Sequence, residues 1–90
     1  MKSLRVKISG TVQGILYRKY LEELGNKVGV RGLVHMLDDG RIELLIEGKD
    51  EKVKEMLELC RKGAKQVEIR NVEVEEIKHQ GFEGFKLLKL

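Results

Sequence analysis

Cysteine, proline and tryptophan are almost missing from this sequence of 90 residues, which has one cysteine, no proline and no tryptophan. A single cysteine excludes an internal disulfide and a metal cluster held by several cysteines. Cys60 follows Val53, Met56 and Leu57 at helical spacing, so we expect a core side chain rather than a catalytic thiol. His35 and His79 have no partnering motif, and we therefore expect no metal site.

Long apolar runs and charge of one sign are also missing. No apolar stretch approaches the roughly 20 residues that cross a bilayer, and Leu4, Val6 and Ile8 alternate with polar residues where a signal peptide would be apolar. The net charge is only +3, with acids and bases interspersed, which does not favour nucleic-acid binding. We expect a cytoplasmic protein that binds neither membranes nor nucleic acid. Abundant Lys and Glu without proline is typical of heat-adapted proteins.

The hydrophobic pattern predicts one domain over residues 1–90, because a chain this short builds only one modest core. Strands are predicted at 4–9, 30–37, 41–47 and 66–77, and helices at 17–28 and 50–62. We expect Gly25 and Gly29 to end the first helix, Asp50 to cap the second and Gly63 to end it. This order predicts an α+β fold, the ferredoxin-like split βαβ sandwich (βαββαβ), in which an antiparallel sheet carries two helices on one face.

Three local signals refine this topology. The turn at residues 38–40, Asp-Asp-Gly, predicts a hairpin, and a left-handed Gly40 would pair Met36 near Ile42. A change of apolar phase predicts a bulge near Arg70 and Asn71. Residues 81–90 can supply a short final strand through Phe85 and Leu87.

The segment GTVQGILYRK, residues 10–19, predicts an anion pocket. It runs from a strand through a bend containing Gly14 into a helix that carries Arg18. Backbone N–H groups of a bend, the positive end of a helix and a planar guanidinium all favour a phosphate or carboxylate. An ordinary strand-to-helix connection with a surface arginine is the alternative that composition leaves open. The topology brings the end of the second long strand, His35 to Leu37, to the same sheet edge.

The sequence resembles the acylphosphatase family over nearly its whole length. The resemblance is carried by VQGILYR, by GRIELLIEG after an Asp-Gly turn, by VEVEE and by GFEGFK, all in one register without a gap. It implies a small α/β sandwich that hydrolyses the carboxyl-phosphate bond of acyl phosphates without a metal or cofactor. The expected ligands are a small acyl phosphate or inorganic phosphate, and we expect a monomer.

The resemblance also implies which residues form the site. The family's phosphate-binding loop falls on Gln13, Gly14, Ile15, Leu16, Tyr17 and Arg18, with Arg18 binding the phosphoryl group. The family's asparagine, which orients the attacking water, falls on Met36. A thioether has no N–H donor and accepts weakly, so it cannot hold water as an amide does. Leu16 stands where the family usually has a glycine, so a backbone with positive φ is less accessible.

Three functions therefore remain open. The first is an acylphosphatase-like protein that binds anions through Arg18 but hydrolyses acyl phosphates weakly or not at all, because Met36 replaces the asparagine. Alternatively, it is a fully active acylphosphatase that positions water by another group. A third possibility is an interaction module that uses the exposed face of the sheet.

Overall fold

The computed structural model describes residues 1–89, which form five strands and two helices. In chain order these are β1 (Lys2–Gly10), α1 (Ile15–Val28), β2 (Arg31–Met36), β3 (Ile42–Gly48), α2 (Asp50–Lys62), β4 (Ile69–Glu76) and β5 (Phe85–Leu87). The predicted order of strands and helices is confirmed, and so is the final strand through Phe85 and Leu87. Leu90, the last residue of that predicted segment, lies outside the described residues.

The strands form one sheet in the order β4-β1-β3-β2-β5. Strand β3 pairs antiparallel with both β1 and β2, so these two run in the same direction. The sheet is mixed rather than wholly antiparallel, because β5 pairs parallel to β2. The antiparallel expectation holds for the other pairs, and both helices pack against the sheet as the split βαβ pattern predicts.

The hairpin and the bulge are both where the sequence predicts them. Gly40 has φ +90°, and Met36 pairs with Ile42. In the β1–β4 ladder, Ser9 pairs with Asn71 and Gly10 with Ile69, so the residue between them on β4 is left unpaired. A bulge of this kind lets the apolar phase change within one strand.

The core lies between one sheet face and the two helices. Alternate residues of the central strands point inward, as expected when one face of a sheet is buried. These are Val6, Ile8, Val34, Ile42, Leu44 and Ile46 from the sheet, with Tyr17, Leu21 and Val28 from α1 and Val53, Met56 and Cys60 from α2. Cys60 is buried as predicted, and burial raises the pKa of its thiol to about 12. Within residues 1–89, the structure contains no helix long and apolar enough to cross a membrane.

The ends of the helices differ from the expectation in two places. Gly29 ends α1 with φ +96°, but Gly25 lies inside the helix, where a Cβ would come within 2.5 Å of Phe85 Cδ1. Gly25 is therefore required for close packing against β5 rather than for ending the helix. At α2 the N-cap is Lys49, and Asp50 is the first helical residue instead of the cap. There its carboxylate still complements the positive end of the helix.

A buried carboxylate holds the connection between β4 and β5. Glu47, on β3, is fully buried and accepts hydrogen bonds from Ser3 Oγ (2.6 Å) and from the backbone N–H groups of Gln80 (2.6 Å), Gly81 (2.9 Å) and Phe82 (3.1 Å). Burial by itself raises the pKa of Glu47, but these donors outweigh burial and lower the pKa to about 2. The carboxylate thus fixes the chain immediately before β5.

We expect Gly25→Ala to lower the free energy of unfolding by about 1–3 kcal/mol, because the new methyl group overpacks against the buried ring of Phe85. Alanine is the better helix former by about 1 kcal/mol, so propensity alone predicts the opposite sign. Urea unfolding followed by circular dichroism measures the difference. The control is Lys27→Ala at an exposed position of the same helix, which should change stability little. A stabilised Gly25→Ala protein would contradict the close packing.

We expect Glu47→Gln to lower the free energy of unfolding by about 1–3 kcal/mol at neutral pH, because an amide cannot accept all four hydrogen bonds. The folded pKa of Glu47 is depressed, so its stabilisation is fully present above its ordinary value of 4.5 and is lost as pH falls towards about 2. Unfolding of both proteins between pH 2 and pH 7 tests this. Glu58→Gln, at an exposed position of α2, is the control. A difference that persists undiminished at pH 2 would contradict the role of the charge.

Candidate functional site

The first turn of α1 presents an unneutralised positive helix end. Its N-cap is Gly14, which supplies no side-chain hydrogen bond, and the first turn contains no acidic residue. Helix α2, by contrast, carries Asp50 and Glu51 in its first turn. The first N–H groups of a helix lack backbone partners within it and bear partial positive charge. Of the two helices, α1 is therefore the one whose positive end carries no compensating acidic side chain.

The bend before α1 is held on both sides. The Thr11 N–H donates to Glu68 O (2.9 Å), and the Glu68 N–H donates to Thr11 Oγ1 (2.7 Å). Val12 is fully buried, and Gln13 Nε2 donates to Gly10 O (3.3 Å). The Gln13 side chain also lies against the turn at Gly40, because a Cβ on that glycine would be 3.6 Å from Gln13 Nε2. The bend is thus anchored to the residue before β4 and lies against the hairpin turn.

Arg18 and Met36 line one cleft, as the predicted topology requires. The cleft has a volume of about 230 Å³ and is lined by Arg18, His35, Met36, Leu37, Asp38 and Leu88. The predicted meeting of the Arg18 segment with residues 35–37 is confirmed. It follows from β1 and β2 running in the same direction, which brings their carboxyl ends to one edge.

The guanidinium of Arg18 is incompletely satisfied. Its Nε is buried, and within residues 1–89 it has no hydrogen-bond partner. Buried polar groups in folded proteins are nearly always paired, and an unpaired donor costs about 1–3 kcal/mol. The side chain is therefore suited to a ligand that supplies an acceptor.

His35 points away from Met36, as expected for adjacent strand residues. Its Nε2 lies 2.8 Å from Glu43 Oε1, on the face opposite the core. Glu43 also lies 3.5 Å from Arg5 Nε, so the imidazole belongs to a group of charges on the exposed face. His79 lies in the connection before β5, where Nδ1 is 3.3 Å from Glu47 Oε2. His35 nevertheless lines the Arg18 cleft together with Met36, and its buried Nδ1 has no hydrogen-bond partner within residues 1–89. His79 does not line that cleft.

Leu16 is the second residue of α1 rather than part of a loop. It has a right-handed helical backbone, and Gln66 is the one non-glycine residue with positive φ within residues 1–89. The leucine side chain is 78% exposed. The segment expected to be a loop, residues 13–18, is therefore two bend residues followed by the first turn of a helix.

Sequence reasoning missed two residues of the cleft. Leu88 reaches it because its N–H donates to Val34 O (2.9 Å), which extends the parallel pairing of β5 with β2. Such pairing between distant segments has no local sequence signal. Asp38 lines the same cleft. Its position at the start of the hairpin turn could have indicated this, since the turn follows Leu37 directly.

Comparison with known proteins identifies the family. The acylphosphatase family model matches residues 4–87. The chain is 42% identical over 82 residues to an acylphosphatase of Haloarcula marismortui, covering 91% of this chain and 90% of that protein. It is 32% identical to an acylphosphatase of Thermotoga maritima, covering 97% of each. The chain belongs to the acylphosphatase family.

The crystal structure of the acylphosphatase from Bacillus subtilis has the same fold. It superposes with a TM-score of 0.93 at 27% identity, covering 99% of this chain and all of that one. The match spans both helices and the five-stranded mixed sheet. The ferredoxin-like acylphosphatase architecture expected from the sequence is therefore confirmed.

The hydroxyl of Tyr17 is buried beside the candidate site without a hydrogen bond to the described part of the chain. The side chain is 5% exposed, and its Oη has no hydrogen-bond partner within residues 1–89. Burial, with smaller contributions from the nearby Cys60 and Tyr20, raises the pKa of the phenol well above its ordinary value. The hydroxyl therefore remains neutral and has no role as a base.

The titratable side chains of the described residues do not assemble a metal centre. No group of three or more His, Cys, Asp or Glu side chains within residues 1–89 could hold a metal ion. The candidate site instead consists of a helix end, one arginine and mainly uncharged walls.

We expect Tyr17→Phe to leave the free energy of unfolding unchanged or raise it by up to about 2 kcal/mol, because it removes a buried hydroxyl without a partner. Thermal or urea unfolding measures the change. Tyr20→Phe removes a hydroxyl from a half-exposed tyrosine on the same helix and serves as the control. A loss of more than about 1 kcal/mol in Tyr17→Phe would show that the hydroxyl is paired.

Proposed function

We propose that this chain binds the phosphoryl group of a small acyl phosphate, or inorganic phosphate, at the first turn of α1 and Arg18. We further propose that it hydrolyses acyl phosphates weakly or not at all. The observation that carries the proposal is the cleft in which the incompletely paired guanidinium of Arg18 faces a site walled by Met36 instead of an amide.

The anion-binding part rests on charge and geometry. A helix end without a capping side chain or an acidic first turn favours an anion by about 0.3–1 kcal/mol when exposed, and by more when partly buried. Arg18 adds a planar set of donors that matches two phosphate oxygens at once. Asp38 on the same cleft opposes a negative ligand, so we expect modest rather than tight binding.

The same groups suit phosphoryl transfer. Charge develops on the peripheral oxygens of the phosphoryl group as it moves to water, and fixed donors stabilise that charge without proton transfer. Arg18 and the first-turn amides can supply such donors. A nucleophilic water must in addition be held in line, since a small misplacement costs about 100-fold in rate.

The loss of hydrolysis rests on Met36. Its partner across the ladder is Ile42, which is fully buried, and Leu37 and Leu88 are its neighbours on the cleft wall. A thioether donates no hydrogen bond and accepts only weakly. His35 also lines the cleft, but its Nε2 is held by Glu43 on the other face of the sheet.

Full hydrolytic activity is the competing function, and the relatives favour it. Proteins that are 32–42% identical over most of this chain bear the name acylphosphatase. In that case a backbone group, or water held by Asp38, would have to replace the amide.

We expect the native protein to hydrolyse benzoyl phosphate near the background rate and Met36→Asn to raise kcat/KM by about 100-fold, because the amide can hold and orient water. Met36→Leu is the matched control. It keeps an apolar side chain of similar size without an amide, and it should stay near background. Initial rates at pH 5–7 with a folded-state check by circular dichroism give the comparison.

Binding is tested separately by titrating inorganic phosphate into the native protein and Arg18→Lys. The lysine retains the charge but loses the planar donors, so affinity should fall about tenfold. Native hydrolysis at a high rate that Arg18→Ala abolishes would establish the active enzyme instead. Phosphate binding unaffected by any Arg18 substitution would place the anion elsewhere.

A further inference from the structure

Exposed apolar side chains gather around the proposed anion site. Within residues 1–89, the large hydrophobic side chains that are more than a third exposed are Met1, Ile15, Leu16, Tyr20, Val74 and Leu88. Ile15, Leu16 and Tyr20 stand on the first two turns of α1, and Leu88 lines the Arg18 cleft. Single exposed hydrophobic residues are ordinary, but a cluster beside a polar site indicates a binding surface.

A groove connects with this cluster on the side of α1 away from β5. It has a volume of about 470 Å³ and is lined by Leu16, Tyr17, Tyr20, Ala64, Lys65 and Val67. Its walls are the start of α1 and the segment that follows α2. The size lies within the range of small-molecule sites, which are mainly apolar with a few polar groups.

The groove adjoins the proposed phosphate site at the first turn of α1, although it shares no lining residue with the Arg18 cleft. Leu16 and Tyr17 line the groove and belong to the first turn of α1, which is part of the proposed anion site. Residues two positions apart lie about 200° apart around a helix, so Leu16 and Arg18 stand on nearly opposite sides of α1. The positive end of the helix lies on its axis, between the two. A phosphoryl group held there has Arg18 on one side and the groove on the other.

We propose that this groove binds the acyl part of the acyl phosphate and that the preferred acyl group is an apolar chain of about four carbons or more. This inference rests on the proposed anion site and adds the class of acyl group. The helix is about 10 Å across, so an acetyl group is too short to reach beyond Leu16. Leu16, which is 78% exposed, would pack against the acyl chain as it enters the groove.

Alkyl phosphonates test the inference without hydrolysis, since their carbon–phosphorus bond is not cleaved as an acyl phosphate is. We expect affinity, measured by calorimetry on the native protein, to rise about twofold per methylene from butylphosphonate to octylphosphonate. This is less than the roughly fourfold that a fully buried methylene gives, because the groove is open to solvent. Methylphosphonate and inorganic phosphate should bind alike.

The variants are chosen to locate the chain. Tyr20→Ala shortens one wall of the groove, and Ala64→Gln fills it. Each should reduce the gain in affinity from methylphosphonate to octylphosphonate at least fivefold. Neither should change the affinity for inorganic phosphate. The matched control is Val74→Ala, since Val74 is 39% exposed and Tyr20 40%, but Val74 lies on β4. It should keep the full gain.

Two results would overturn the inference. One is an affinity of the native protein that stays the same from methylphosphonate to octylphosphonate. The other is a gain that survives both Tyr20→Ala and Ala64→Gln but is lost in Leu88→Ala, which would place the chain on the β5 side of Arg18. These results are distinguishable from failure of the proposed function, because in both of them inorganic phosphate still binds. If phosphate and all phosphonates fail to bind, the anion site and the acyl groove fall together.

Discussion

The pairing of β3 with both β1 and β2 is the constraint on which the site depends. Because β3 is antiparallel to each, β1 and β2 run in the same direction, and their carboxyl ends lie at the same end of the sheet. The chain leaving β1 must then turn into α1 at that end, directly beside the end of β2. Arg18 and Met36 come together for this reason, although 18 residues separate them in the chain. The meeting is a property of the topology rather than of any local motif.

Packing at the far side of the sheet completes the cleft. Glu47 holds the connection before β5 with its buried carboxylate. Strand β5 is an edge strand, and within residues 1–89 its outer N–H and C=O groups have no strand partner. Two side chains of α1 pair these groups: the Leu87 N–H donates to Glu22 Oε2 (2.7 Å), and Asn26 Nδ2 donates to Phe85 O (3.0 Å). The same helix thus carries Arg18 and fixes the strand that leads to Leu88.

Features with a local physical cause were predictable from the sequence. The turn at Gly40, the unpaired residue near Asn71 and the burial of Cys60 follow from turn chemistry and apolar period, and each is observed. Three other features had no local signal, because each depends on contacts between segments more than 30 residues apart. These are the parallel pairing of β5 with β2, the position of Leu88 on the cleft wall and the hydrogen bonds of the buried Glu47. Gly25 was misread because a glycine near a helix end signals a stop, while its reason for being there is the ring of Phe85. The meeting of Arg18 with Met36 was predictable from the topology, and their proposed roles follow from the family resemblance.

In the proposed site, two departures from the pattern that the family resemblance implies act in the same direction. Met36 places a thioether where an amide is expected, and Leu16 places an exposed apolar side chain where a glycine is expected. Under the proposed function, each removes an opportunity to order water near a bound phosphoryl group and adds apolar surface next to it. Arg18 and the uncapped end of α1 are unaffected by either change, because neither depends on the side chains at those positions. The proposed function therefore separates binding of a phosphoryl group from activation of water: the first would depend on the helix and its arginine, and the second on what the end of β2 presents.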